Sequence, residues 1–195
     1  MQAHTWRLFV LILGVALLGC ADRHAKKMFT SAVKSYKKEQ YDDARISFLK
    51  LYRAGYSDTY SIQCMLASVY LQLQLYDSAK IFLDQALEHP DAKNDADLHA
   101  NTAYYFWMNH LPNEAFQYIN RAIELRPQEA DLYMYRGLVY IDLYHTDKAC
   151  ADFRRAVKLG GKLTSISADA LFKEENCESW STDELEQIKR KFKPH

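Results

Sequence analysis

Apolar and polar positions along most of this chain recur at spacings of three, four and seven, the mark of amphipathic helices rather than strands. The pattern predicts helices near 24–38, 41–54, 58–73, 76–88, 95–109, 113–125, 129–143 and 147–159. Pro127 and the Pro90-Asp91 turn stop the helices before them. The stretch from Pro90 to Asp97 is expected to be the longest internal loop. Gly160-Gly161 breaks the pattern, and two shorter helices are expected near 168–176 and 182–192. The second of these opens on the capping box Ser181-Thr182-Asp183-Glu184. An unbroken apolar run at 8–18 stands apart from all of this. At eleven residues it is too short for a membrane-spanning helix, which needs about 20.

A longer period lies over the helical one. Ala44, Ala79, Ala115 and Ala149 are 35, 36 and 34 residues apart. Four residues after each comes a bulky apolar side chain: Phe48, Leu83, Ile119 and Phe153. Three further on are Leu51, Ala86, Ala122 and Ala156. Twelve before each alanine is a small residue: Ala32, Ala67, Ala103 and Gly137. Nine before it, in the last three units, is an aromatic: Tyr70, Phe106 and Tyr140. Small residues at fixed places let helices cross closely. The acids Asp42, Asp43, Asp77, Glu114 and Asp147 suit the positive ends of the helices they precede or open.

This register resembles the tetratricopeptide repeat, a pair of antiparallel helices. The family's second-helix ending, Ala-x-Glu-Leu-x-Pro, stands here as Ala122-Ile123-Glu124-Leu125-Arg126-Pro127. The resemblance implies an all-α fold: a right-handed solenoid of four helix pairs at 24–57, 58–92, 95–128 and 129–161. The first pair departs most, with Ser35 in the aromatic place and Leu51 in a small one. Residues 162–195 are then expected to cap the last repeat, since a terminal unit needs a polar cover.

Arg7, the apolar run and the ending Leu17-Leu18-Gly19-Cys20 have the form of a secretory signal. The ending resembles the lipobox of bacterial lipoproteins. That resemblance implies cleavage of residues 1–19, acylation of Cys20, and a tether of only 20–23 before the first helix. The three acyl chains that the resemblance implies hold far more firmly than one myristoyl chain. With Asp22 one place beyond the position that retains some lipoproteins at the inner membrane, the expected location is the outer membrane, facing the periplasm.

Composition narrows the chemistry. Twenty-five Lys and Arg balance 25 Asp and Glu, which argues against a nucleic-acid binder with a broad basic surface. Six Gly and four Pro are scarce for 195 residues, as long helices require. The seven His show no metal-ligand spacing, and no nucleophile elbow or phosphate loop occurs, so no catalytic residue, metal or cofactor is assigned. The segment from Ala149-Cys150 to Cys177 looks like the closing unit of many bacterial tetratricopeptide proteins. It implies a Cys150–Cys177 disulfide, with two free buried thiols as the alternative.

In the resembled family the first helices line a concave groove. Carried over residue by residue, its positions give Phe29, Val33 and Tyr36, then Leu71, then Tyr104, Trp107 and Met108, then Met134, Leu138 and Ile141. Phe29 and Val33 stand where the family's carboxylate clamp begins, so that mode of binding is not expected. The strip suits the apolar face of a partner helix or an extended peptide. The same side chains could equally pack as core between helices. The expected function is a non-enzymatic, lipid-anchored adaptor at the cell envelope, in the manner of lipoproteins that help assemble outer-membrane complexes. Self-association through the groove is compatible with it. The rival reading is an exported accessory or regulatory subunit of a cell-wall enzyme.

Overall fold

A computed structural model describes residues 23–161. The signal, Cys20, the expected cap at 162–195 and Cys177 lie outside the described residues. Within them are eight α-helices: α1 at 23–37, α2 (Tyr41–Arg53), α3 (Thr59–Gln72), α4 (Tyr76–Leu87), α5 (Ala96–Met108), α6 (Pro112–Leu125), α7 (Ala130–Asp142) and α8 (Thr146–Lys158). No strand occurs among them, and the chain is an all-α helical repeat. From α2 to α8 every boundary falls within one residue of the position expected from the pattern.

The loop expected from Pro90 to Asp97 is corrected. Pro90–Asn94 forms a 3-10 helix, and α5 starts at Ala96. Pro90 sits in the first turn, where its missing N–H costs nothing. Asp95 closes the 3-10 helix and also caps α5, its carboxylate accepting from the Leu98 amide at 3.0 Å. Asp58 caps α3 in the same way through the Ser61 amide, also at 3.0 Å.

The repeat is written in the backbone as well as the side chains. After α1, α3, α5 and α7 the chain enters the left-handed region at Glu39, Gln74, His110 and Tyr144, with φ between 58° and 61°. At each, two amides bond back to the carbonyls of the preceding helix. Gln74 donates to Leu71 and Leu75 to Tyr70; Tyr144 donates to Ile141 and His145 to Tyr140, and the other two turns repeat this. These are Schellman closures, and each satisfies carbonyls that a helix end would leave bare. The next helix opens when the amide of Ala44, Ala79, Ala115 or Ala149 donates to the carbonyl four residues back. All four alanines are fully buried.

The contacts divide the chain into two compact units, separated between Ala86 and Leu87. In the first, Phe48, Leu51, Ile62, Leu66 and Leu83 are buried with the small residues Ala32, Ala67 and Ala86. Phe29 of α1 meets Phe48 edge-on at 5.5 Å, and Tyr70 of α3 stacks on Phe82 of α4 at 5.6 Å. In the second unit, one cluster gathers Ala103, Ile119, Ala122, Ile123 and Leu132. The other gathers Trp107, Ala115, Leu138, Val139, Ile141, Ala149, Cys150 and Phe153. Gly137 is required there: a Cβ on it would stand 2.5 Å from the Phe153 ring.

Candidate binding surfaces

The first unit contributes four of the expected groove residues. Phe29, Val33 and Tyr36 are half-buried on α1, while Leu71 is buried on α3. Phe29 is already engaged with Phe48 and with Tyr56, and Tyr36 meets Tyr41 edge-on at 5.5 Å.

In the second unit the expected strip divides by depth. Trp107, Leu138 and Ile141 belong to the core cluster, while Tyr104, Met108 and Met134 are half-buried and pack on it. Trp107 is only 2% exposed, so it supports the surface rather than presenting itself to a partner. Its indole Nε1 donates to the Asp142 carboxylate at 2.6 Å, joining α5 to α7 across 35 residues. Asp142 takes the negative end of a charge-assisted bond, the stronger kind. Beside it a shallow cleft is lined by Ala103, Tyr104, Trp107, Ile119, Tyr135 and Val139. Its cavity volume of about 10 Å³ is room for about one water and too small for a cofactor.

Two polar features have no counterpart in the sequence reading. In repeats two and three the residue three past the anchor alanine is Phe82 or Tyr118, each stacked on the aromatic of the preceding helix. In repeat four that place is Asp152, 5% exposed. It accepts two bonds from Arg136, at 2.7 and 2.8 Å, while Arg136 also donates to Asn120 at 2.8 Å. The guanidinium lies over the rings of Tyr133 and Tyr140. A salt bridge thus replaces the aromatic stack and ties α6, α7 and α8 together. The second feature is His99 on α5, buried, with neither ring nitrogen hydrogen-bonded. Burial pushes its pKa down and the nearby Arg121 adds to this; the carbonyls of Lys93 and Ala92 and the Asp95 carboxylate act in the other direction.

Among the described residues no three His, Cys, Asp or Glu side chains are grouped to hold a metal, and no helix is long and apolar enough to cross a membrane. Cys64 is not part of a disulfide. Cys150 is buried in α8 and is not a free thiol; the expected partner, Cys177, lies outside the described residues.

Residues 60–88 match the family model of the tetratricopeptide repeat. No curated protein matches the chain. Among solved structures it is similar to a thermophilic TPR protein of Thermus thermophilus, at 20% identity and a TM-score of 0.61, covering 69% of this chain and 74% of that one. It is similar to MamA of Desulfovibrio magneticus, residues 41 to the end, at 15% identity and a TM-score of 0.60, covering 70% and 75%. It is also similar to YrrB, described as a TPR protein with an unusual peptide-binding site, at 23% identity and a TM-score of 0.57, covering 69% and 68%. By sequence, then, residues 60–88 match one tetratricopeptide repeat, and by fold the described residues form an all-α helical repeat similar to these solved proteins.

Proposed function

We propose that this chain is an adaptor that holds a protein partner at the bacterial cell envelope, anchored through acylated Cys20 at the periplasmic side of the outer membrane. The observation that carries the adaptor reading is the row of half-buried Tyr104, Met108 and Met134. They stand on a core that the Trp107–Asp142 bond fixes between α5 and α7. Aromatic and Met side chains on a rigid base give a partner helix or extended peptide large apolar contact at low entropic cost. The likeness to YrrB, whose description names a peptide-binding site, supports the same mode. The envelope location is supported by the apolar run and the Leu17-Leu18-Gly19-Cys20 ending.

Two experiments bear on it. Affinity capture with the full chain and with Tyr104→Ala/Met134→Ala should recover a partner in the first case and lose it in the second, with little change in Tm. Recovery of the same proteins by both would refute the surface. Trp107 is unsuitable for this test because its removal would open the core. Separately, Cys20→Ser should shift the chain from the membrane fraction to the soluble one, and identical partitioning would sink the anchor.

A further inference from the structure

Zero net charge conceals a segregated arrangement at the start of the repeat. Residues 23–38 hold six Lys and Arg and no Asp or Glu. At 3.6 residues per turn, Arg23, Lys26, Lys27, Lys34, Lys37 and Lys38 fall within an arc of about 120°. All six are exposed. Lys38 keeps the register although α1 ends at 37, because its amide still donates to the Lys34 carbonyl at 3.2 Å. The arc adjoining it on one side carries Phe29, Ala32, Val33 and Tyr36, all buried or half-buried. Further along, Arg45 pairs with Asp42, Lys80 with Asp84, Arg121 with Glu124, Arg126 with Asp97 and Glu129, and Arg136 with Asp152. No ion pair among the described residues engages the six cations of α1.

We propose that this stripe docks α1 lengthwise on the anionic headgroups of a phospholipid surface. From Arg23 to Lys38 the row extends about 22 Å at 1.5 Å per residue, a straight line suited to a flat, laterally adaptable array of negative charge. Five of the six are Lys, compact point charges on flexible stems rather than the forked donors that recognise one phosphate bidentately. No aromatic side chain interrupts the stripe to stack on a base, as single-stranded nucleic-acid binders require. The placement rests on the Cys20 anchor proposed above, although the stripe itself does not. Three residues from Cys20 to Arg23 span at most about 10 Å. That is close to one Debye length at physiological ionic strength, so the first cations would lie within reach of the surface potential.

The test uses the full chain with vesicles of phosphatidylcholine alone or mixed with phosphatidylglycerol, at low and high salt. Binding should favour the anionic vesicles, and the preference should vanish at high salt. Lys27→Gln/Lys34→Gln/Lys37→Gln should lower affinity for the anionic vesicles on the order of 100-fold. Lys50→Gln/Lys93→Gln/Lys158→Gln, of equal net charge, should leave it unchanged, and circular dichroism checks that both variants are folded. Equal binding to both vesicle types, equal loss in the two variants, or binding to heparin without binding to anionic vesicles would each overturn the proposal. Repeating the series in Cys20→Ser separates the two readings. Unchanged membrane fractionation in Cys20→Ser with a persistent anionic preference sinks only the anchor, and lost fractionation without any preference for anionic vesicles sinks only the stripe.

Discussion

His99 is 9% exposed, yet both of its ring nitrogens lack a hydrogen bond. It is therefore held neutral in the folded state, with a pKa below the ordinary 6.5, first by burial and then by Arg121. In the unfolded chain it regains the ordinary value and binds a proton more readily. Stability from this group is thus complete above about 6.5 and falls as pH drops from there toward the folded-state pKa. Urea midpoints measured across that window should decline with falling pH, and His99→Phe should flatten the slope. A slope unchanged in the variant would remove His99 from the account. Legibility at this scale is uneven. The anchor alanines, the bulky residues after them and the small residues at crossings can be read from spacing alone, and all are buried. Trp107 cannot be assigned to core or surface from spacing, because the stripe on one helix looks the same whether or not a neighbour covers it. His99 and Asp152 give no signal, since burial of a polar residue depends on what other helices bring to it.

At the scale of elements, the helices are legible because their apolar period is strong and their ends carry chemical marks. The acids Asp42, Asp43, Asp77, Glu114 and Asp147 are such marks, all in first turns, whereas the caps Asp58 and Asp95 emerge only in the structure. The turns are another matter. Helix ends that close through a left-handed residue usually place Gly there. The chain does so at Gly55 and Gly160 but uses Glu39, Gln74, His110 and Tyr144 within the repeats. A search for Gly at helix ends therefore misses four of the six closures of this kind among the described residues. The stretch from Pro90 to Asp97 reads as a loop for a related reason: proline ends one helix and begins another equally well. The left-handed turns also carry a removable strain. Tyr144 is 92% exposed at φ 60°, so its side chain contributes little to set against the cost of that backbone region. Tyr144→Gly should stabilise the protein by about 0.5–1 kcal/mol, the relief of strain exceeding the added entropy of the unfolded chain. Chemical denaturation checks it; a loss of stability would mean that Tyr144 makes a contact its exposure conceals.

On the scale of the whole molecule, the repeat architecture is readable and the division into two units is not, because spacing continues unchanged through Ala86. Cys150 lies in the core of the second unit and is not a free thiol. We propose Cys177 as its partner. A bond closing 27 residues contributes about 3.5 kcal/mol on the chain-entropy model. Alkylation without reductant should modify Cys64 but neither Cys150 nor Cys177, and peptide mapping should recover the two as one cross-linked species. Modification of both before reduction would disprove the pairing. The indole–carboxylate bond between Trp107 and Asp142 has a further, practical consequence. Trp107 is the one tryptophan among the described residues, and it lies wholly in the second unit. With Trp6 and Trp180 replaced by Phe, its emission is expected to be blue-shifted by burial and to serve as an optical gauge of α5 against α7. Circular dichroism sums every helix while fluorescence weights the second unit, so the two signals can tell whether the units melt together or in turn.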